Sequence, residues 1–194
     1  MSLDPNLALP AHAVVPTVSA WVARFAACIK PSGAVLDLAC GQGRHARYLA
    51  ELGFTVEGVD RDAAVLAHLA GVARLTTQCA DLEADAWPYA ARQFDAIIVI
   101  NYLHRPLFPL IASSLAPGGV LLYETFRSGN GSYGKPSNPD FLLHPGELLE
   151  FARTYHLRVV AYEDGFSQRP KPAMVQRMCA VKPPFLPPER GRLE

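Results

Sequence analysis

Residues 34–49 have the sequence AVLDLACGQGRHARYL, in which a short apolar run is followed by a glycine turn and a helical pattern. The pattern predicts a β-strand over 34–38, a tight turn, and an α-helix that begins at Arg44. A helix that starts directly behind such a turn points unpaired backbone N–H groups at a bound ligand. Asp37 stands just before the turn, where its carboxylate could meet a positively charged ligand. This stretch therefore predicts a pocket for a nucleotide-type cofactor.

The rest of the chain alternates between predicted strands and helices. Apolar runs predict six more strands, at 54–59, 73–79, 94–100, 120–126, 157–162 and 173–181. Helical spacing predicts helices at 18–29 (capped by Thr17), 44–52, 62–70, 105–115 and 144–155. Three strand–helix–strand passages indicate an α/β fold with a doubly wound parallel sheet. Only the loop 163–172 joins the last two strands, which indicates that these two are antiparallel neighbours.

A length of 194 residues favours one domain with a full hydrophobic core. We therefore expect residues 1–194 to form a single domain, with an N-terminal arm at 1–16 and a loose, proline-rich tail at 183–194. The segment 127–143 is a long loop rich in Gly, Pro and Ser, and such a loop in a compact domain is usually functional or disordered. Whether 1–16 and 127–143 form a lid stays open at this point.

Charge and composition argue against several classes of protein. Lys and Arg number 18 and Asp and Glu also number 18, so no overall field attracts nucleic acid or an anionic membrane. No apolar run reaches the roughly 20 residues that span a bilayer, and the first residues lack the pattern of a secretory signal. The four cysteines and six histidines show no metal-ligand spacing. We expect a cytoplasmic monomer or homodimer with a small-molecule substrate and no metal.

Two cofactors fit the glycine turn. The sequence GQGRHA at 41–46 matches G-x-G-x-x-G/A, and Asp60 ends the second strand, as in the fingerprint of NAD enzymes. Three features favour S-adenosylmethionine instead, one of which is the antiparallel pair of strands. A second is Asp37, which would repel a pyrophosphate but attract the amino group of a methionine moiety. The third is Asp81, which could accept a hydrogen bond from an adenine amine while the backbone N–H of Leu82 serves a ring nitrogen.

Several segments resemble the successive motifs of class I S-adenosylmethionine-dependent methyltransferases. They are VLDLACGQG, the acid Asp60, the Ala80-Asp81-Leu82 step, FDAIIVINYLH and LAPGGVLLYE, and the resemblance extends from about residue 17 to 182. GQGRHARYLAELG, YLHRPL and PGGVLLYETF further resemble the small TehB-like methyltransferases, named for tellurite resistance. The resemblance implies a Rossmann-like, seven-stranded, mostly parallel sheet of order 3-2-1-4-5-7-6 with the last strand antiparallel.

The spacing and the resemblance together predict which residues contact S-adenosylmethionine or its product, S-adenosylhomocysteine. They are Asp37, Ala39, Cys40, Gly41, Gly43, Arg44, Asp60, Arg61, Asp81, Leu82 and Asn101. Some of these residues could have a structural role instead of contacting the cofactor. Asp37 could accept backbone N–H bonds from the turn, and Asp60 could cap the next helix. Arg44 could be an exposed helix arginine. Ala39 stands where the broader family usually has glycine, which matters only if φ at this position is positive.

The segment Asn101-Tyr102-Leu103-His104 follows the fourth strand, and no Asn-Pro-Pro-Tyr step is present there. This weakens the case for methylating an amide or adenine nitrogen of a macromolecule. We expect in-line methyl transfer to a small molecule, and the TehB-like resemblance suggests a soft nucleophile or a metalloid oxyanion. His104 is a candidate general base because imidazole titrates near neutral pH. Tyr102 and Tyr123 are further candidates for catalysis.

Two other functions remain open. An NAD-dependent oxidoreductase would need a hydride-handling site after the fourth or fifth strand, and no Tyr-x-x-x-Lys pair appears there. A non-catalytic module that binds S-adenosylmethionine would share the cofactor motifs and differ only in turnover. Around the substrate we also expect Arg105, Glu124 and the loop 127–143.

Overall fold

The computed structural model describes residues 17–184, which contain a seven-stranded sheet of order β3-β2-β1-β4-β5-β7-β6. The strands β1 to β7 are Ala34–Leu38, Thr55–Asp60, Leu75–Cys79, Phe94–Ile100, Leu115–Phe126, Arg158–Ser167 and Ala173–Val181. Neighbours from β3 to β5 pair in parallel, whereas β7 is antiparallel to both β5 and β6. The α/β fold, the strand order and the antiparallel last strand are therefore confirmed.

Between residues 17 and 184, five α-helices connect and cover the strands. The helices α1 to α5 are Ala20–Phe25, Arg44–Glu51, Ala63–Ala67, Phe108–Ser113 and Glu147–Thr154. The first helix is shorter than predicted, and its cap is Ser19, whose hydroxyl accepts a hydrogen bond from the N–H of Trp21 at 3.1 Å. No helix among these described residues is long and apolar enough to cross a bilayer.

The central strand β4 is buried on both faces, as its unbroken apolar sequence predicts. Ala96 and Ile98 pack in one hydrophobic layer, whereas Ile97 and Val99 pack in the other. This alternation follows from the two-residue period of a strand. Because both faces of β4 are covered, a ligand can reach the central part of the sheet at the carboxyl ends of the parallel strands.

Two elements differ from the prediction around residues 115–172. β5 begins at Leu115 rather than at 120, because Leu115 already pairs with Phe94 of β4. The Pro117-Gly118-Gly119 segment, in which Gly118 has a φ of +74°, joins it to the rest of the strand across an irregularity in the pairing. β6 continues to Ser167, so the loop predicted at 163–172 is shorter. Its last five residues, EDGFS, are mostly polar and partly or fully exposed, but they pair with β7, a long-range pairing that an apolar pattern does not reveal.

The predicted helix over 105–115 is divided. Arg105–Leu107 forms a 3-10 turn and α4 follows it, since Pro109 lacks the N–H that a continuous helix from 105 would need. The predicted N-terminal arm at 1–16 lies outside the described residues, and so does most of the predicted tail at 183–194.

Candidate functional site

A cavity of about 330 Å³ opens at the carboxyl ends of β1 to β4. We call it the acidic cavity, and it is lined by Ala39, Asp60, Arg61, Ala80, Asp81, Leu82, Glu83, Asn101 and Tyr102. Six of the predicted cofactor-binding residues are among them: Ala39, Asp60, Arg61, Asp81, Leu82 and Asn101. They meet because parallel strands end at one edge of a sheet, where α/β proteins bind their ligands.

The glycine turn is held in place by Asp60. Gly41 has a φ of +53°, and its N–H donates to Oδ2 of Asp60 at 2.9 Å. The other carboxylate oxygen accepts the N–H of Asp62 at 3.1 Å. Gly43 has a φ of +70°, and a Cβ there would lie 2.5 Å from a methyl carbon of Leu69. The sequence of the turn is therefore restricted both by backbone conformation and by close packing.

Two non-glycine residues with a left-handed backbone line the acidic cavity. They are Ala39 with a φ of +53° and Asn101 with a φ of +59°. Asparagine tolerates this conformation comparatively well, whereas for alanine it costs about 1–2 kcal/mol. The departure from glycine at Ala39 therefore has a structural cost. Strained backbone of this kind concentrates at functional sites.

Asp37 lies beneath the turn and does not line the acidic cavity. Its side chain is 1% exposed, and its Oδ2 accepts the N–H of Ala46 at 3.0 Å. Burial raises the pKa of Asp37 to about 7, against the opposing effects of the Ala46 hydrogen bond and the charge of Arg44. The structure thus shows the alternative role for Asp37, in which the carboxylate braces the start of α2.

Cys40 also has a packing role in the structure. Its N–H donates to the carbonyl of Val59 at 2.9 Å, and its thiol is buried against Gly58, where a Cβ would lie 2.9 Å from the sulfur. Burial, followed by the charges of Asp37 and Asp60, raises the pKa of the thiol. Cys40 therefore fixes the turn from below as a neutral side chain.

A second cavity, of about 670 Å³, lies on the other side of Asn101 and contains the predicted residue Arg44. We call it the basic cavity, and it is lined by Thr17, Val18, Ser19, Ala20, Trp21, Arg44, Asn101, Glu124, Phe126, Ser167, Arg169, Pro170, Lys171, Ala173, Val175 and Arg177. Sequence reasoning missed Arg169, Lys171 and Arg177, which belong to no motif. The one signal for them is topological, since an antiparallel β7 brings the β6–β7 turn to the same edge as the carboxyl ends of β1 to β5.

Glu124 connects the two walls of the basic cavity. Its Oε2 accepts the hydroxyl of Ser19 at 2.6 Å, and its Oε1 lies 3.5 Å from Nε of Arg177. The N–H of Ser19 also donates to Nε2 of His45 at 3.3 Å. Burial, followed by the charge of Arg44, lowers the pKa of His45 to about 3, so this imidazole is neutral and can accept. The segment before α1 is therefore fastened to the end of β5.

The three candidates for catalysis occupy different environments. Tyr102 lines the acidic cavity, and its pKa is raised by burial and by the nearby carboxylates, Glu83 first. His104 has Nδ1 3.9 Å from a carboxylate oxygen of Glu83. Tyr123 is 1% exposed and donates its hydroxyl to the carbonyl of Tyr102 at 3.1 Å. In this structure Tyr123 therefore braces the segment after β4 from inside the core.

Arg105 holds the loop 127–143 in place. It makes a two-point ion pair with Glu147, at 2.7 Å and 2.9 Å, and donates to the carbonyls of Asp140 at 3.0 Å and Leu142 at 2.9 Å. A planar guanidinium matches this set of acceptors, which explains why arginine suits the position. The guanidinium of Arg105 therefore has a structural role in this loop. Between residues 17 and 184, no cluster of three or more His, Cys, Asp or Glu is arranged to hold a metal ion.

Comparison with known proteins decides the family. Residues 11–166 match the family model described as a methyltransferase domain. The chain belongs to the methyltransferase domain family. Its fold is similar to that of TehB from Haemophilus influenzae, with a TM-score of 0.72, 22% sequence identity, and coverage of 85% of this chain and 62% of that one. The predicted likeness to class I and TehB-like methyltransferases is therefore confirmed at the level of family and fold.

Two further proteins that this methyltransferase-family chain resembles are themselves named as methyltransferases. A solved 1,6-didemethyltoxoflavin-N1-methyltransferase of Burkholderia thailandensis, with bound S-adenosylhomocysteine, has a TM-score of 0.61 and 22% identity, covering 84% of this chain and 76% of that one. A ubiquinone biosynthesis O-methyltransferase of Dinoroseobacter shibae is 34% identical over 111 residues, which are 51% of this chain and 43% of that protein. The chain thus spans about half the length of the curated relatives that it matches.

Proposed function

We propose that the acidic cavity binds S-adenosylmethionine and that the chain transfers its methyl group to a small molecule in the basic cavity. The observation that carries this proposal is the charge of the acidic cavity. Three carboxylates, those of Asp60, Asp81 and Glu83, line it together with one cation, Arg61, at the carboxyl ends of the strands of a methyltransferase-domain fold.

The chemistry of these groups fits a cofactor that carries cations and no phosphate. S-adenosylmethionine has a sulfonium and an ammonium group, which neighbouring carboxylates attract, whereas they would repel the pyrophosphate of NAD. Each oxygen of Asp60 accepts one backbone N–H, and a carboxylate oxygen can accept two hydrogen bonds. Asp60 can therefore hold the glycine turn and still accept a ribose hydroxyl.

The remaining contacts follow from the positions of the residues. Asp81 and the backbone of Leu82 would hold the adenine, and Arg61 lines the same cavity. The glycine turn and Arg44, at the start of α2, would hold the methionine end. Asp37 would act on that end through the turn that it braces.

When bound, S-adenosylmethionine supplies an electrophilic methyl carbon, to which the acceptor atom forms a bond while the carbon–sulfur bond breaks and sulfur keeps the electron pair. The chain has to align the acceptor and keep water away, and such positioning supplies much of the rate. Asn101 lies where the two cavities meet and would set this alignment. A base is needed only when the acceptor carries a proton, and Tyr102 and His104 stay candidates for it. The TehB-like resemblance suggests a soft nucleophile or a metalloid oxyanion as the acceptor.

Titration calorimetry with S-adenosylmethionine, S-adenosylhomocysteine and NAD tests the proposal. We expect micromolar-range binding of the first two and none of NAD. Binding of NAD alone would overturn the proposal in favour of an oxidoreductase. A screen of small nucleophiles for S-adenosylhomocysteine formation tests turnover, and cofactor binding with no turnover in a broad screen would favour a non-catalytic module.

A further inference from the structure

The two cavities that share Asn101 are lined by residues of opposite net charge. Among the described residues, the acidic cavity has three carboxylates and one cation, whereas the basic cavity has four cations and one carboxylate. A third cavity, of about 510 Å³, shares Asn101, Phe126 and Lys171 with the basic cavity and adds Lys135 with no carboxylate. The side of the site that faces away from the proposed cofactor therefore has a positive potential, although the chain as a whole is neutral.

The four cations of the basic cavity are not equivalent. Arg177 is compensated, because it lies 3.5 Å from a carboxylate oxygen of Glu124 and 3.0 Å from one of Glu163. Arg44, Arg169 and Lys171 have no carboxylate within 4.0 Å among residues 17–184. Arg44 adjoins the glycine turn and so belongs to the cofactor side. Arg169 and Lys171, in the turn between β6 and β7, are therefore the two cations that can bind a second ligand.

The backbone of that turn is held by hydrogen bonds that leave both charges available. The hydroxyl of Ser167 donates to the carbonyl of Arg169 at 2.8 Å and accepts from Arg177 at 3.0 Å. The ammonium of Lys171 lies 5.9 Å from the ring centre of Phe126, within the range of a cation–π contact. Two cations on one turn, with no carboxylate partner among residues 17–184, form a site for an anion.

Beside the cations and a few polar groups, the basic cavity has an apolar wall that is too extensive for a small inorganic ion. Val18, Trp21, Phe126, Pro170 and Val175 line the basic cavity beside the two cations. The cavity volume of about 670 Å³ lies in the range that holds small organic ligands. An inorganic oxyanion would use the charges and leave the apolar surface uncovered.

We propose that the methyl acceptor is not the metalloid oxyanion that the TehB-like resemblance suggests but an organic anion, an apolar body that carries a carboxylate or a similar single anionic group. Arg169 and Lys171 bind this group. The proposal rests on the proposed function, because it assumes that the acidic cavity holds the cofactor. It makes the β6–β7 turn the determinant of acceptor specificity. Phe126 and Val175 cover the apolar body, and the nucleophilic atom lies near Asn101.

Binding measurements on the protein saturated with S-adenosylhomocysteine test this proposal without knowledge of the natural acceptor. Benzoate, phenylacetate and 2-mercaptobenzoate are each titrated and compared with the corresponding primary amide, which has the same shape and no charge. We expect at least one acid to bind about tenfold more tightly than its amide. The Arg169→Gln/Lys171→Gln double variant should lose this preference and keep its affinity for S-adenosylhomocysteine. The matched control is Arg74→Gln, which removes an exposed cation just before β3, away from both cavities.

The outcomes separate this inference from the proposed function. Absence of S-adenosylmethionine and S-adenosylhomocysteine binding would overturn the proposed function itself. If the cofactor binds but no acid binds more tightly than its amide, or if the preference survives in the double variant, only the organic-anion proposal fails. Sodium selenite is titrated in the same way, and binding of selenite with none of the organic acids would also overturn the proposal.

Discussion

The carboxylate of Asp60, at the end of β2, accepts the backbone N–H of Gly41 at 2.9 Å and so ties the second strand to the turn that follows the first. A residue expected to contact the cofactor is thus also part of the scaffold that shapes the cavity. Its second oxygen accepts the N–H of Asp62, at the start of α3. Changes at this position should therefore alter both binding and folding.

Asp60→Ala should weaken S-adenosylmethionine binding by roughly tenfold or more and lower the free energy of unfolding by about 1–2 kcal/mol, because two backbone N–H groups lose their acceptor. Calorimetry and urea denaturation measure the two effects. Asp62→Ala is the control: it removes the cap of α3, in which Asp62 accepts from Ala64 and Val65, and should lower stability with cofactor affinity retained. Equal loss of affinity in both variants would contradict a direct role of Asp60 in binding.

Ala39→Gly should raise the free energy of unfolding by up to about 1 kcal/mol. Glycine relieves the strain of a φ of +53°, and the gain is reduced by the greater freedom of glycine in the unfolded chain. Urea denaturation measures the change. Ala50→Gly, at an ordinary position of α2, should instead destabilise the protein by about 1 kcal/mol. A loss of stability in both variants would refute the strain at Ala39.

Asp37→Asn should change the pH dependence of stability. The folded-state pKa of Asp37 is raised from its usual 3.8 to about 7, so the folded protein binds the proton more tightly than the unfolded chain does. The contribution of Asp37 to the free energy of unfolding is therefore present at low pH and is lost as pH rises from 3.8 to 7. Asparagine keeps an acceptor for Ala46 and should remove this loss. Urea denaturation across this pH range measures it.

His45→Gln should have the opposite effect, since the folded-state pKa of His45 is lowered from 6.5 to about 3. The unfolded chain takes up this proton more readily, so the contribution of His45 is lost as pH falls below 6.5. In the natural protein the two contributions oppose each other between pH 3.8 and 6.5. We expect the Asp37 variant to lose more stability than the natural protein on acidification and the His45 variant to lose less. If the slopes of both variants differ from that of the natural protein in the same direction, these two groups do not control the response.

Ser19→Ala should lower the free energy of unfolding by about 1 kcal/mol, because the hydroxyl caps α1 and donates to Glu124 at 2.6 Å. Denaturation by urea measures the change. Ser19→Thr keeps the hydroxyl and should be close to the natural protein. If both variants unfold alike, the hydroxyl does not fasten this segment to β5.

The sequence by itself determined the local elements and the edge at which the site lies. Apolar periodicity located β1, β4 and β7 with their observed bounds, and the glycine turn located the start of α2 at Arg44. Because parallel strands share one carboxyl end, Asp60, Asp81 and Asn101 could be assigned to a common cavity from their positions alone. The strand order was implied by family resemblance, since spacing does not specify which strands are neighbours.

Only the tertiary structure decided where side chains at that edge point and what distant segments bring to it. Asp37 and Tyr123 are as polar in sequence as Asp60 and Tyr102, yet packing buries the first pair and leaves the second pair on the cavity. The pairing of β7 with β5 and β6 likewise decides where the charges of the β6–β7 turn lie, and the positive φ of Ala39 is evident only in the structure. The physical reason is that a local pattern specifies the alternation of faces along a strand, whereas the direction of a side chain at a strand end depends on contacts with residues far away in the chain.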